Sequence, residues 1–381
     1  MTDSIRYVGV NDHDVDLFEG QYVVPNGMAY NSYVILDEKV AILDTVDHRK
    51  CTEYLENLEA ALAGRKPDYL VIHHIEPDHA SSVQAVVERW PEVKLVGGPK
   101  TFPLLAQYFP GLDFSSALTV KEGDQLSLGS HVLHFVSAPM VHWPEVMMSY
   151  ESTEKVLFSA DAFGKFGALD AEEDWDCEAR RYYFNIVGKY GTQVQTVLKK
   201  AAGLDIETIC PLHGPILTET IPHVLDLYQT WSSYGVESEG VFIAYASLHG
   251  NTAAAAEKLA DILRQKGCPK VTVADLARCD MAEALEDAFR YGKIVLAAST
   301  YNAGIMPFME DFLHHLKAKN YQKRTVGLME NGSWAPFAVK GMTDILSTMK
   351  EITILPETVT LRGPMKESDL PAMEALASAL V

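Results

Sequence analysis

The chain has 381 residues, which is longer than one hydrophobic core usually serves. Of these residues 48% are hydrophobic and 22% are charged, a composition that is typical of globular proteins and argues against extensive disorder. Its formal net charge of −20 argues against nucleic acid and anionic membrane surfaces as partners, because most of the surface would repel them. No apolar run approaches the length of a bilayer span and the N-terminal stretch lacks a secretory pattern, so we expect a cytoplasmic protein.

The first part of the chain, residues 1–238, is dominated by hairpin-like pairs of strands. One pair is predicted in YNSYVILDEKVAILDTV, and others lie in the segment from His131 to Phe163. Helical patterns such as CTEYLENLEAALAG and SSVQAVVERW separate the strands. This mixture predicts two sheets packed face to face with helices outside, a four-layer α/β arrangement.

A dense cluster of potential metal ligands lies in VIHHIEPDHASS, where an apolar strand ends and a helix is about to begin. Alternate positions on the departing strand put His74, Glu76 and Asp78 on a common side, and His79 can turn in beside Asp78 as the loop tightens. A polar loop with two capping carboxylates explains an isolated match of this kind equally well.

Three later segments favour a metal site over that simpler explanation. His142 follows a predicted strand, and Asp161 and His213 each lie at a predicted strand end. A lone histidine in an apolar context is usually a hydrogen-bonded core residue. Three strand-end candidates together with the first cluster indicate one shared site.

This set resembles the metallo-β-lactamase superfamily, whose hydrolases carry H-x-H-x-D-H followed by His, Asp and His at later strand ends. Here Glu76 replaces the middle histidine. A carboxylate is a harder donor that adds negative charge and shifts the preference from zinc toward iron. The resulting H-x-E-x-D-H is similar to the pattern of flavo-diiron proteins, also called A-type flavoproteins, and the resemblance covers essentially the whole chain.

The resemblance implies a non-haem diiron site with two irons. One iron would take His74, Glu76 and His142, the other would take Asp78, His79 and His213, and Asp161 would bridge them. His73 lies outside this set, and we interpret it as a residue of the outer coordination sphere or as structural.

Two further positions bear on the pocket around such a site. Tyr182 matches a family tyrosine near the diiron pocket, with an ordinary core tyrosine as an equal alternative. Many relatives have a pocket histidine shortly before the G-x-x-Y-N stretch, but LFEGQYVVPNGMAYN contains none. The sequence therefore does not choose between dioxygen and nitric oxide as substrate.

From residue 239 onward, short β-rich runs alternate with helical patterns in a βαβ rhythm. Five strands and five helices are predicted, starting with VFIAYAS and a helix capped by Gly267. This order fits a doubly wound parallel sheet of five strands. We therefore expect a metallo-β-lactamase-like αββα domain over 1–238 and a flavodoxin-like domain over 239–381.

Three loops of the second domain predict an FMN site. The first, S-L-H-G-N-T, directly precedes a helix, so backbone N–H groups and hydroxyls can point at a phosphate. The other two follow the third and fourth strands and share its rim, with Tyr301 and Trp334 able to flank a planar ring. The candidates are Ser247, His249, Gly250, Asn251, Thr252, Ser299, Thr300, Tyr301, Asn302, Gly304, Asn331, Gly332, Ser333 and Trp334.

Electrons must then come from outside the chain. The five cysteines are odd in number, scattered and without a C-x-x-C pair, which predicts reduced thiols and excludes a fused rubredoxin or zinc ribbon. The resemblance implies a separate donor such as rubredoxin or a reduced deazaflavin, and a head-to-tail homodimer. The five cysteines are Cys51, Cys177, Cys210, Cys268 and Cys279.

The predicted function is a flavo-diiron oxidoreductase that reduces dioxygen to water, nitric oxide to nitrous oxide, or both. One alternative is a binuclear zinc hydrolase fused to a flavodoxin domain, which Glu76 argues against. The other is an electron carrier without catalysis, which would require the loss of metal ligands that this sequence retains.

Overall fold

A computed structural model describes residues 2–381 of the chain. It divides into two compact units, the first ending at Gln229 and the second beginning at Thr230. The predicted boundary between 238 and 239 lies at the start of the first strand of the second unit and stays a prediction.

From residue 2 onward, the first unit has fifteen strands and seven helices, of which the last helix runs across the boundary. The strands are β1 (Ile5–Tyr7), β2 (Val10–Asp12), β3 (Leu17–Phe18), β4 (Tyr22–Val23), β5 (Met28–Tyr30), β6 (Tyr33–Leu36), β7 (Val40–Leu43), β8 (Tyr69–Val71), β9 (Lys94–Gly97), β10 (Leu118–Thr119), β11 (Gln125–Ser127), β12 (Val132–Ser137), β13 (Met147–Glu151), β14 (Val156–Phe158) and β15 (Thr208–Cys210). The helices are α1 (Cys51–Leu62), α2 (Pro77–Ala80), α3 (Val83–Arg89), α4 (Thr101–Tyr108), α5 (Trp175–Tyr182), α6 (Gly191–Ala201) and α7 (Ile221–Ser232). Short 3-10 turns span His48–Lys50 and Gly188–Tyr190, and a π turn spans Tyr183–Val187.

Two sheets pack against each other in this unit. Their strand orders are β1-β6-β7-β8-β9-β10 and β11-β12-β13-β14-β15. One apolar cluster joins them, with Ile35, Leu43 and Val71 from the first sheet and Phe135 and Phe158 from the second. The predicted face-to-face sheets are confirmed, as are the hairpin β6–β7 and the meander β12–β13–β14.

The carboxyl ends of parallel strands set the location of the predicted ligands. In the first sheet β7 and β8 run parallel, and β8 ends just before His73 and His74. In the second sheet β14 and β15 run parallel and lead to Asp161 and His213. In each sheet, the predicted ligands therefore follow the carboxyl ends of a pair of parallel strands.

The second unit is a doubly wound α/β domain with six strands. They are β16 (Ser238–Ala246), β17 (Val271–Asp275), β18 (Tyr291–Tyr301), β19 (Gly304–Ile305), β20 (Arg324–Asn331) and β21 (Ile352–Leu361). Five of them form a parallel sheet in the order β17-β16-β18-β20-β21, and the short β19 folds back on β18. The helices are α8 (Asn251–Gln265), α9 (Met281–Arg290), α10 (Pro307–Ala318), α11 (Ala338–Leu346) and α12 (Leu370–Leu380), with a 3-10 turn at Glu367–Asp369.

Alternation along the strands places helices on both faces of this sheet. Val241 and Ile243 of β16 belong to the apolar cluster that includes α8 and α12. Phe242, between them, contacts the ring of Phe312 on α10. The predicted five-stranded parallel sheet with five helices is confirmed, and its crevice lies where the strand order reverses, between β16 and β18.

No helix in residues 2–381 combines the length and the apolar character that a membrane span requires.

Candidate metal and flavin sites

Four predicted ligands meet in a first group. His142 Nε2 lies 3.0 Å from Glu76 Oε2 and 3.2 Å from Asp161 Oδ2. His74 Nε2 lies 3.2 Å from the same Glu76 oxygen and 3.3 Å from Asp161 Oδ2. The four ligand atoms all lie within 4.8 Å of one another, which is close enough to hold one metal ion.

Three more form a second group beside it. His79 Nε2 and His213 Nε2 are 3.1 Å apart, and they lie 3.3 and 3.2 Å from Asp78 Oδ2. These three atoms also fall within 4.8 Å of one another. The structure thus brings together all seven residues that the sequence singled out.

Asp161 lies between the two groups and turns one oxygen toward each. Its Oδ2 faces His74 and His142, whereas its Oδ1 lies 3.2 Å from His79 Nε2 and 3.8 Å from His213 Nε2. The side chain is only 1% exposed. A carboxylate in this position can bridge two cations.

The donor set fits two metal ions. Within residues 2–381, neither oxygen of Asp78 nor Oδ1 of Asp161 accepts a hydrogen bond of good geometry, although all are buried. The Nε2 atoms of His79 and His213 face each other, and two such nitrogens repel each other unless a cation or a proton lies between them. Buried acceptors without donors are costly, so the site is arranged for cations.

The same charges shift the pKa values of the side chains. Burial lowers the pKa of His142, but hydrogen bonds with Asp161 and Glu76 outweigh it and raise the pKa to about 9. Burial opposes ionisation of Asp161 as well, yet the neighbouring histidines hold its pKa well below the usual range. The imidazoles and carboxylates of the site thus favour the charged forms of one another.

The local backbone corrects one part of the sequence reasoning. Strand β8 ends at Val71, and Pro77 starts the short helix α2, with Glu76 at its N-cap. Strand alternation therefore does not place Asp78 beside His74 and Glu76. Asp78 and His79 lie on the helical turn and enter the second group, while His74 and Glu76 precede the turn and enter the first.

Two contacts behind the ligands were missed by sequence reasoning. Glu145 Oε1 accepts from His74 Nδ1 at 2.8 Å, and both side chains are completely buried. The carbonyl of Ala29 accepts from His213 Nδ1 at 2.8 Å. Each contact leaves Nε2 of the histidine free to face the metal group.

His73 does not enter either group. Its Nδ1 donates to Asp44 Oδ2 at 2.6 Å, and its Nε2 lies 2.8 Å from Ser149 Oγ. The interpretation of His73 as a residue outside the ligand set agrees with this placement.

Three aromatic rings pack around the imidazole of His213. The rings of Phe18, Tyr182 and Tyr30 have centroids 5.3, 5.5 and 6.0 Å from that of His213. Tyr182 is fully buried, and its hydroxyl has no hydrogen-bond partner among residues 2–381. Burial, followed by the charge of Asp161, raises the pKa of Tyr182, so its hydroxyl keeps its proton.

The second unit has a cleft of about 350 Å³ at the carboxyl end of its sheet. Ten of the fourteen predicted flavin residues line it: His249, Asn251, Thr252, Ser299, Thr300, Asn302, Asn331, Gly332, Ser333 and Trp334. Trp334 is 83% exposed, so its indole is free to cover a planar ligand. The cleft also includes Leu248, Ala303, Ala335 and Gly363, which were not predicted.

The remaining four predicted residues lie next to this cleft. Gly250 has a φ of +87° just before α8, and its N–H donates to Ser247 Oγ at 3.1 Å. Tyr301 and Gly304 line a neighbouring groove that shares Asn302 with the flavin cleft.

Hydrogen bonds between loops hold the cleft together. Thr252 Oγ1 and Ser299 Oγ are 2.8 Å apart, and the N–H of Leu248 donates to the same serine at 3.2 Å. Asn331 donates to the carbonyl of Gly363 at 2.9 Å and accepts from its N–H at 3.0 Å. Ser299 thus connects the phosphate loop to the loop after the third strand, and Asn331 connects the loop after the fourth strand to the segment at Gly363.

Comparison with known proteins assigns both domains. Residues 28–214 match the family model described as ODP family beta lactamase, and residues 242–351 match the flavodoxin domain. The anaerobic nitric oxide reductase flavorubredoxin of Vibrio vulnificus is 29% identical over 352 residues, covering 88% of this chain and 70% of that protein. An uncharacterized protein of Methanocaldococcus jannaschii is 27% identical over 372 residues, covering 96% of this chain and 93% of that protein.

Solved structures of similar fold align with this chain along its full length. The rubredoxin:oxygen oxidoreductase of Desulfovibrio gigas matches 100% of this chain and 96% of its own, with a TM-score of 0.93 and 27% identity. The flavodiiron protein of Giardia intestinalis shares the fold, with a TM-score of 0.91 and 24% identity. The chain thus has an ODP-family beta-lactamase domain followed by a flavodoxin domain, and along its whole length it is similar in sequence and fold to the rubredoxin:oxygen oxidoreductase structure.

Proposed function

We propose that the protein is a flavodiiron oxidoreductase, in which electrons pass through FMN to a non-haem diiron site that reduces dioxygen to water, nitric oxide to nitrous oxide, or both. The observation that carries this proposal is Asp161, whose two oxygens face two separate groups of ligand atoms. That arrangement suits a pair of ions held by three ligands each and one shared carboxylate.

Each residue of the metal groups has a role in this proposal. One iron would be held by His74, Glu76 and His142, the other by Asp78, His79 and His213, with Asp161 bridging. Glu76 supports iron over zinc, because a carboxylate is a harder donor than the imidazole that binuclear hydrolases use at this position. The zinc hydrolase is for that reason the less favoured alternative.

When bound, two ferrous ions and reduced FMN together hold the four electrons that convert one dioxygen and four protons into two waters. Two nitric oxide molecules need two electrons and two protons to give one nitrous oxide and one water. The protein's own side chains position the ligands. Glu145 fixes the orientation of His74, and the Ala29 carbonyl fixes that of His213. The aromatic rings around His213 exclude water from that side chain. Tyr182 is fully buried beside His213, and its protonated hydroxyl has no hydrogen-bond partner among residues 2–381, so it is available to donate to a molecule bound at the site.

FMN fits the cleft of the second unit better than a dinucleotide. Ser247 lies in the loop before α8 and Thr252 in the first turn of that helix, so two hydroxyls lie near the helix N-terminus, which suits one phosphate. The loop has neither G-x-G-x-x-G nor a phosphate-binding lysine. Trp334 is placed at the rim, where it can cover the isoalloxazine ring.

Three finer points belong to the same proposal. The protein is cytoplasmic, it receives electrons from a separate donor such as rubredoxin or a reduced deazaflavin, and it forms a head-to-tail homodimer. The relatives named as flavorubredoxin and as rubredoxin:oxygen oxidoreductase support rubredoxin as the class of donor. In the dimer, each FMN would face the irons of the partner chain across an isologous interface.

Metal and flavin analysis of protein purified without air tests the main proposal. We expect about two irons and one FMN per chain, and consumption of dioxygen or nitric oxide when reduced rubredoxin is supplied. Stoichiometric zinc together with phosphodiesterase or thioesterase turnover would refute the proposal.

Mixing two inactive variants tests the dimer. Asp161→Ala chains lack the bridging carboxylate, and Thr252→Glu chains lack FMN, so neither homodimer is active. Subunit exchange should produce mixed dimers in which one FMN faces one intact pair of irons, and part of the activity should return. If mixed dimers form and activity stays absent, electrons do not cross between subunits.

A further inference from the structure

A buried ion pair lies next to the second metal group. Lys165 Nζ is 2.5 Å from Glu173 Oε2, and the two side chains are only 7% and 8% exposed. The ammonium also donates to the carbonyl of Phe166 at 2.8 Å. Buried ion pairs contribute little to stability compared with apolar packing, so stability alone does not explain a pair at this position.

The lysine belongs to the loop that follows Asp161 and packs on the segment of His213. A Cβ at Gly214, directly after His213, would lie 2.9 Å from Lys165 Cγ. A Cβ at Gly164 would lie 3.3 Å from the Cβ of His213. The segments around Lys165 and His213 are therefore in direct contact, and Gly214, with a φ of +79°, leaves room for the lysine side chain.

The glutamate connects this loop to the segment that orients His213. Glu173 Oε1 accepts from Asn26 Nδ2 at 2.7 Å. The carbonyl of Asn26 in turn accepts from the N–H of Ala168 at 3.0 Å. Asn26 lies three residues before Ala29, whose carbonyl accepts from His213 Nδ1 at 2.8 Å. The carboxylate also lies over Gly167, where any Cβ would collide with it.

These contacts form a closed circuit around one ligand. Lys165, on the Asp161 loop, pairs with Glu173, and Glu173 accepts from Asn26. The chain then leads from Asn26 to Ala29, whose carbonyl accepts from His213. Gly214, the residue after His213, packs against Lys165 and closes the circuit. Moving the pair would shift both the bridging carboxylate loop and the acceptor that fixes the imidazole of His213.

We propose that Lys165, Glu173 and Asn26 are positioning residues for the second metal, acting through His213 and the Asp161 loop. The inference rests on the proposed function for the identity of the metal. Residues behind metal ligands commonly change metal affinity by about 10- to 100-fold when mutated, and we expect an effect of that size here, confined to one of the two ions.

The test compares the wild type with Lys165→Met, Glu173→Gln and Asn26→Ala. Metal-free proteins are titrated with Co²⁺, and the visible absorption of the bound ion reports each binding step. We expect two tight steps in the wild type and a second step weakened about 10- to 100-fold in the first two variants. Asn26 is exposed, so Asn26→Ala tests the circuit with little risk to folding, and it should weaken the same step by a smaller factor.

Asp37→Asn is the matched control. Asp37 pairs with the buried His131 at 2.9 Å in the same unit, but it follows β6 at the opposite end of the sheet from the metal groups. It should leave both steps unchanged. If Lys165→Met and Glu173→Gln affect the second step no more than Asp37→Asn does, the inference is wrong.

The double variant Lys165→Met/Glu173→Leu separates positioning from stability. Replacing both charges by apolar side chains generally restores the stability that a single change removes. We expect the unfolding temperature to recover while the second Co²⁺ step stays weak. Recovery of the second step together with stability would overturn the inference. Fewer than two steps in the wild type would instead contradict the proposed function.

Discussion

Glu145 makes the most specific contact behind the metal site and provides a quantitative test of it. Its Oε1 accepts from His74 Nδ1 at 2.8 Å and from the N–H of Ile75 at 3.1 Å, while Oε2 has no partner among residues 2–381. In Glu145→Gln, the amide oxygen can occupy the position of Oε1 and keep both contacts. The substitution therefore removes the negative charge with almost no change in volume.

The substitution keeps the hydrogen bond to His74 but makes its acceptor neutral. A hydrogen bond to a charged group contributes about 1.5–3 kcal/mol and a neutral one about 0.5–1.5 kcal/mol, so the loss is about 1–1.5 kcal/mol, and about 1.36 kcal/mol corresponds to a factor of ten. The affinity for the ion that we propose is held by His74, Glu76 and His142 should thus fall about tenfold, because a neutral partner makes the imidazole of His74 a weaker ligand for the metal. The second ion should be retained.

The assay is iron retention against a chelator of graded concentration, followed by metal counting per chain. Asp37→Asn is a suitable control, since Asp37 accepts from the ring of His131 in a similar contact, yet His131 does not belong to either metal group. Equal iron loss in both variants, or none in Glu145→Gln, would show that the charge behind His74 does not govern metal binding.

Three further predictions use other parts of the molecule. Asp161→Ala should abolish gas reduction and reduce the iron content while FMN stays bound, because two like charges lose their shared carboxylate; metal and flavin analysis of that variant checks both halves. Thr252→Glu should expel FMN by placing a carboxylate against the phosphate and leave the iron content intact, so a yellow variant with normal flavin would contradict the placement of the phosphate. Burial lowers the pKa of His131, but hydrogen bonds with Asp37 and Glu154 outweigh burial, so the pKa in the folded protein is raised. The protonated imidazole therefore stabilises the fold fully at a pH below the ordinary imidazole pKa. This stabilisation is lost as the pH rises through the raised pKa of the folded protein. The unfolding temperature should accordingly fall as pH rises above about 6.5, and His131→Gln should reduce that slope.

The sequence singles out seven candidate ligands because their types and spacing are unusual. H-x-E-x-D-H and three later strand-end residues gave the whole set, and the structure brings all seven together. The local geometry was predicted less well, since Pro77 starts a helical turn where strand alternation had been assumed. A proline that can occupy the first helical position was the signal that this reasoning overlooked.

The contacts behind the ligands could not be predicted in the same way. Glu145 lies 71 residues from His74 in sequence, and only the fold brings them together. The acceptor for His213 is a backbone carbonyl, which every residue carries, so no residue type marks it. A charged residue inside the apolar segment between His142 and Met148 was the one available sign, and it fits Glu145.

The side chain of Asn331 has a further consequence. Both of its polar atoms are engaged by the backbone of Gly363, so it ties the end of one strand to the segment after the next strand through contacts within the chain. This part of the rim is thus ordered by the protein's own hydrogen bonds, which reduces the chain entropy that a ligand must lose when it binds there.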